Sequence, residues 1–378
     1  MSNTLKSLFL LDPDTIYLNH GSFGACPKVI FDSLTSWQKR LEEDPVKLLE
    51  FDVIDHIENS REALSKYIHC HKDDIVFFPN PTTALNTIIK SLDLQPDDEI
   101  LTTNHEYGAL DRTWNFICKK KGSKYIKKNI KLPLKSKIDF INTFKDGITK
   151  KTKVIFLSHI TSATGLIFPV EEICKIARDN QIFCIIDGAH VPGHIPLNIS
   201  ELNPDIYTGA CHKWMCAPKG TSFLYAKKNI QNDIDPLVVS WGYESEFPSH
   251  SQFLDYHQWQ GTNDPSAYLT VPSVIKFLKE NDWTNISNIC HNTNLEAREK
   301  INSFLKQKPI SSDEFIGQMS SIEIQCKDPM ALRKKLYNDH NIQVPIYKWG
   351  DKTFLRISIQ AYNSMEDVEK LILALDKI

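Results

Sequence analysis

The chain predicts an α/β fold: a large domain on a mixed, mostly parallel sheet, followed by a small C-terminal α/β domain. Three observations carry this reading. Short apolar runs rich in β-branched residues recur up to position 225, separated by stretches with helical apolar spacing, which is the pattern of βα units. A length of 378 residues with 41% hydrophobic content exceeds what one ordinary core holds. Beyond a helical interval, strand and helix alternate again from position 320 to the end, marking a second, smaller layer. The expected divisions are an arm at 1–18 packed with the small domain, a large domain at 19–262 and a small domain at 263–378.

Taken in order, residues 1–18 read as an arm ending in the short strand I-Y-L. Asn19-His20-Gly21-Ser22-Phe23-Gly24 follows, where two glycines around polar residues allow close backbone approach, to a ligand or in a plain turn. Pro27 sits where a helix to about Glu43 begins, and a second helix covers 54–67. His69-Cys70-His71 lacks the spacing of a metal site and reads as a loop. A strand at 75–78 runs into Asn80-Pro81-Thr82-Thr83-Ala84, which opens a helix. A polar turn at a helix start suits an anion, and equally an ordinary N-cap by Asn80 or Thr82. The next strand, 99–103, leads to Asn104-His105-Glu106-Tyr107, with Trp114 one helical face further on. The basic run 119–131 reads as a solvated connection.

Buried strands follow at 154–158, 182–187, 206–210 and 221–225. Ligands in open parallel sheets gather at the carboxyl ends of such strands. The loop 159–165, Asp187 and the pair His212-Lys213 all fall there. A long polar and aromatic loop spans 238–257, ending near Gly261-Thr262-Asn263. A helix at 267–280 leads to the strand 320–325, the helix 329–340, the apolar strand carrying Arg356, and a last helix at 364–377.

Composition excludes several partners. Lysine plus arginine, 44, nearly balances aspartate plus glutamate, 47, so no charge excess favours nucleic acid or a membrane surface. Nine scattered cysteines without an export signal suggest reduced thiols and a cytoplasmic location. The apolar run 8–11 is too short for a leader or a span.

Asp187 and Lys213 carry the chemistry. An acid ending a buried strand requires a cationic partner, and a lysine between two such strands faces the same difficulty. One ligand answers both: pyridoxal 5′-phosphate, with Lys213 as its covalent anchor and Asp187 on the pyridine nitrogen. Arg356 on an otherwise apolar strand needs an anion, such as an amino acid's α-carboxylate.

D-G-A-H and C-H-K in this order resemble the class V aminotransferases, and H-K-W-M-C-A-P-K-G is similar to their isopenicillin N epimerase branch, which includes C–S lyases. The resemblance covers about 17–363 and implies the fold type I of PLP-dependent transferases. It implies a substrate loop with Asn19 and His20, and cofactor-phosphate contacts from Thr82, Thr83 and His212. Tyr107 would stack on the pyridine ring, where cysteine desulfurases carry histidine. Ser162 stands where they have an asparagine near the 3′-oxygen, which His190 also approaches. Thr262 would reach the partner subunit's phosphate, making a homodimer, and Arg356 would take the substrate carboxylate. No metal is expected.

The reaction forks after removal of the Cα proton by Lys213. A persulfide-forming desulfurase is disfavoured, because no cysteine lies between Lys327 and Arg356 and Cys326 ends a predicted core strand. Epimerisation needs a second acid–base group, for which Tyr107, His20 and His105 are candidates. Elimination needs one base and a leaving group. The expected activity is therefore a C–S β-lyase on a cysteine S-conjugate or sulfoxide, with epimerase second and aminotransferase third. A degenerate, non-catalytic binding protein would not need Lys213, Asp187, Thr82 and Arg356 together.

Overall fold

The computed structural model describes residues 5–377. Its strands are β1 (Ile16–Tyr17), β2 (Ile75–Phe78), β3 (Glu99–Thr103), β4 (Lys124–Lys128), β5 (Thr152–Ser158), β6 (Phe183–Asp187), β7 (Ile206–Ala210), β8 (Ser222–Ala226), β9 (Met319–Glu323), β10 (Ile342–Gln343), β11 (Ile346–Trp349) and β12 (Lys352–Ser358). Seven of them form one sheet in the order β2-β8-β7-β6-β5-β3-β4. β8 runs antiparallel to both neighbours, and the other adjacent pairs are parallel. β2 thus points the same way as β3, β4, β5, β6 and β7, and these six strands deliver their carboxyl ends to one rim. β8 starts there.

The strands I-V-F-F and I-Y-T-G-A are buried at every position, because helices cover both faces of the sheet. Among these helices are α1 (Lys28–Glu43), α2 (Val53–Ile68), α3 (Pro81–Ser91) and α4 (Gly108–Lys121). Pro27 takes the N-cap position of α1, with extended backbone, one residue before the expected first turn. The basic run at 119–131 is not a connection. It closes α4 and then forms the edge strand β4, whose lysines pair outward, Lys127 with Asp111 at 2.6 Å and Lys124 with Asp97 at 2.6 Å. Lysine at a sheet edge keeps that edge from pairing with other chains, so its polarity hid a strand.

A second, antiparallel sheet, β11-β12-β9, carries Arg356. β1 pairs in parallel with β10, and Asn19 bridges to Ser358, so the chain's start is stitched to its last third. The expected helix at 267–280 is broken at Thr270 into Ser266–Leu269 and Val271–Glu280, with Pro272 in the first turn of the second.

Candidate active site

A cleft of about 540 Å³ opens at the rim where the parallel strands end. Its floor is the strand ends predicted from sequence. Its far wall is the loop after β1, together with Arg356.

Lys213, three residues past β7, opens into the cleft with its Nζ 3.2 Å from His190 Nε2. Desolvation draws its pKa down to about 8; Asp187 opposes this shift and Arg356 adds to it. Asp187 ends β6 and is buried, accepting a 2.9 Å hydrogen bond from the Ala189 N–H on Oδ1. Burial raises its pKa, against the pull of that N–H and of Lys213. Tyr107 stands between β3 and α4 with its side chain nearly half exposed over the opening.

At the start of α3, Asn80 caps the helix: its Oδ1 accepts from the Thr83 N–H at 2.8 Å and from the Thr83 hydroxyl at 3.1 Å. Thr82 lines the cleft at this helix N-terminus. Thr83 does not, because both of its donors already serve the cap. Capping and anion binding, alternatives in the sequence, fall here on adjacent residues. His212 lines the same end, its Nδ1–H donating to the Thr221 carbonyl at 2.8 Å, and burial pulls its pKa down to about 4.

Arg356 is 4% exposed and lacks a carboxylate partner among the described residues. Its NH2 donates to Ser22 Oγ at 2.5 Å and its NH1 donates to the Ser162 carbonyl, while Nε has no partner. A desolvated guanidinium held only by neutral groups is a strong claim on an anion. Ser162 thus meets the cleft and orients the arginine through its carbonyl.

Asn19 and His20 do not line the cleft. His20 Nε2–H donates to the Lys213 carbonyl at 3.0 Å, and its Nδ1 accepts from the Ala25 N–H at 3.3 Å and faces the Tyr362 hydroxyl at 2.8 Å. Its ring lies behind the lysine's backbone, with its pKa lowered to about 3 by burial. Gly24 packs against the same backbone: a Cβ there would sit 2.4 Å from the carbonyl oxygens of His212 and Lys213. The close approach expected for this loop is therefore to the protein's own chain, which a sequence pattern does not distinguish from a ligand. Asn19 is buried with an unpaired Oδ1. Thr262 is exposed, outside the cleft. His105 is also buried, bonded to Thr164 Oγ1 and the Ile130 carbonyl, each at 2.9 Å.

Ser22, Phe23 and Lys219 also line the cleft; the sequence marks the loop 19–23 as a substrate loop without singling out the first two, and gives no sign of a role for Lys219. Ser22 lay inside the quoted G-S-F-G motif, but its bond to Arg356 spans the whole chain.

The donor set suits pyridoxal 5′-phosphate. It offers an amine of lowered pKa, a desolvated carboxylate for a ring N–H, and a helix N-terminus with a neighbouring imidazole for a phosphate.

Known proteins share this chain's family and fold. The sequence model for "Aminotransferase class-V" matches residues 43–371, and the chain belongs to that family. The cofactor is accordingly pyridoxal 5′-phosphate and the protein an enzyme. The chain is 28% identical to isopenicillin N epimerase of Amycolatopsis lactamdurans, over 97% of this chain and 96% of that protein. It is 25% identical to an L-cysteine desulfhydrase of Arabidopsis thaliana, over 94% and 86% respectively. In fold it is similar to the cystine C–S lyase C-DES, solved with cysteine persulfide, at TM-score 0.82 and 21% identity over 96% and 97%.

Proposed function

We propose that this chain is a C–S β-lyase that cleaves the Cβ–S bond of a cysteine S-conjugate or sulfoxide. Lys213 would hold the cofactor through its ε-nitrogen, Asp187 would accept the ring N–H, and Tyr107 would cover the ring face. Thr82, His212 and the start of α3 would hold the phosphate, and His190 and Ser162 would border the ring oxygen. When bound, pyridoxal phosphate supplies the electron sink that makes the substrate's Cα–H acidic. Arg356, braced by Ser22 and Ser162, takes the α-carboxylate and fixes which Cα bond faces Lys213. The released Lys213 amine removes the Cα proton, which a lowered pKa permits near neutrality.

The observation that carries lysis over epimerisation is the fate of the second acid–base candidates. His20 and His105 have both ring nitrogens bonded to protein and lie outside the cleft, leaving Tyr107. Elimination needs only the Lys213 base, whereas inversion would rest on Tyr107 alone as the second acid–base group. The cleft lining contains no cysteine among the described residues, which argues against persulfide transfer. Cys326 is half-buried in the coil three residues past β9, which ends at Glu323, two residues before the expected strand does. The 28% identity to an epimerase keeps Cα inversion as the second reading.

We also infer a homodimer in which Thr262 reaches the partner's phosphate. Exposed Trp241 (86%), Phe247 (90%) and Val239 (68%) support it, as apolar groups a partner would cover. The divisions 1–18, 19–262 and 263–378 are retained as the domain scheme, its first four residues lying outside the described structure. The nine unpaired thiols favour a cytoplasmic location.

The test is incubation with cysteine S-conjugates and sulfoxides in deuterated water. Pyruvate and ammonia identify the lyase. Deuterium at Cα with lost chirality and no pyruvate identifies the epimerase instead. Sedimentation equilibrium reads the dimer.

A further inference from the structure

His190 joins two neighbours whose hydrogen-bonding roles differ. Trp214 Nε1 lies 3.3 Å from His190 Nδ1, and Lys213 Nζ lies 3.2 Å from His190 Nε2. An indole N–H only donates. Nδ1 must therefore present its lone pair, and in the neutral imidazole the proton sits on Nε2, facing the lysine. An ammonium at Lys213 would set N–H against N–H across 3.2 Å. The contact is satisfied only when the lysine nitrogen offers a lone pair.

We propose that Trp214 is a positioning residue, which locks His190 as an Nε2–H donor and thereby raises the share of Lys213 present as the free amine. The free base is the form that captures an aldehyde and the form that accepts a proton, so this donor chain readies Lys213 for both tasks. The inference builds on Lys213 as the cofactor lysine, but the tautomer belongs to the chain alone and is measured without turnover.

The lock is stiff because Trp214 has nowhere to turn. It is fully buried, its ring 4.0 Å from that of His194 and 5.1 Å from that of His20. Gly193, at φ +81°, lets the chain pass where a Cβ would meet the Trp214 carbonyl at 2.5 Å. His194 itself donates from Nδ1 to the His190 carbonyl at 2.9 Å and accepts the Gln318 N–H at 2.6 Å, so its tautomer is fixed too. The titratable groups facing the pair are Asp187 from β6, Arg356 from β12, His20 from the N-terminal loop and His194 after β6. Of these only Asp187 favours the ammonium. Burial, with the Arg356 guanidinium nearby, keeps His190 neutral.

The experiment is ¹⁵N NMR of histidine-labelled full-length protein, with and without cofactor, the His190 signals being assigned by their loss in His190→Gln. Beside it, the pH dependence of reductive methylation at Lys213 with formaldehyde is read by peptide mass in the cofactor-free chain. The expected result is an unprotonated Nδ1 and a protonated Nε2 in the native protein. In Trp214→Phe, the two tautomers mix and the apparent pKa of Lys213 rises by about one unit, a roughly ten-fold loss of free amine at neutral pH. A protonated Nδ1 in the native protein overturns the proposal, and this holds even if Trp214→Phe does not fold. An unchanged tautomer and lysine pKa in a folded Trp214→Phe overturns it as well. Loss of cofactor binding in Lys213→Ala bears on the lysine assignment alone, so the two failures are distinguishable.

Discussion

At the scale of single residues, Lys213 and Arg356 depend on their surroundings in opposite ways. Lys213 is useful because the cleft disfavours its charge; Arg356 is useful because it cannot lose its charge and has no anion of its own. Lys213→Ala should fold, yet lack the visible band that borohydride bleaches, and yield no pyruvate. A bleachable band in that variant would displace the anchor to another lysine, with Lys219 in the same cleft the first to examine. Arg356→Met should keep the band while KM rises by ~30- to 100-fold, about 2–3 kcal/mol of a charge-assisted pair. The same change should leave the substrate-free chain as stable or more so, since it removes a buried charge with no counter-ion. Thermal melts beside the kinetics check both halves. A melt lowered by several degrees would mean that Ser22 and Ser162 already compensate the guanidinium.

At the scale of elements, the cleft is a product of strand direction. β2, β3, β5, β6 and β7 end together, so residues from five separate stretches converge without any of them being close in sequence. The loop after β1 then closes from the other side, pressing Gly24 onto the backbone of His212 and Lys213. Gly24→Ala should push this segment apart. Since the two carbonyl oxygens are backbone atoms, they have no rotamer by which to yield. The expected outcome is a cofactor affinity lowered at least ten-fold, measured by equilibrium titration of the visible band, with far-UV circular dichroism unchanged. Wild-type affinity in this variant would show that the loop is free to retreat.

At the scale of the whole molecule, the buried titratable groups set the acid limit. Burial lowers the pKa of His20, His159 and His194 to about 3 and of His105 and His257 to about 4, against 6.5 when unfolded. A depressed folded pKa gives stability that is present above pH 6.5 and lost as the pH falls toward 3–4. Glu106 runs the other way. Its carboxyl, accepting from the Ser158 N–H at 2.8 Å and from the hydroxyls of Ser158 and Thr103 at 2.6 Å, is raised by burial to about 7. Its share is present below 4.5 and lost as the pH rises toward 7. With His212, likewise at about 4, six histidines outweigh one carboxyl at up to ~1.4 kcal/mol per pH unit each, so stability should drop by on the order of 6 kcal/mol between pH 7 and 5.5. Calorimetric melting of the cofactor-free chain across that range tests it; a flat or rising Tm would mean that these rings are hydrated or charged in the native state.

The sequence by itself determined the strands that build the floor. Apolar β-branched runs leave little choice of structure, and 75–78, 99–103 and 206–210 coincide with β2, β3 and β7. It also raised the expectation of a shared ligand at their ends, because an acid, a lysine and a hydroxyl-rich helix start fall on one rim. The edge strand β4 was hidden because its lysines face water and mimic a loop. The roles of His20, Thr83 and Ser22 were decided only by the tertiary structure. A histidine's function rests on which groups its nitrogens meet, and those of His20 meet Tyr362 and Lys213, far away along the chain. The same holds for the Trp214–His190–Lys213 contact and for the unpaired Arg356. Hydrogen-bond direction and desolvation are properties of three-dimensional neighbours, and spacing along a chain encodes neither.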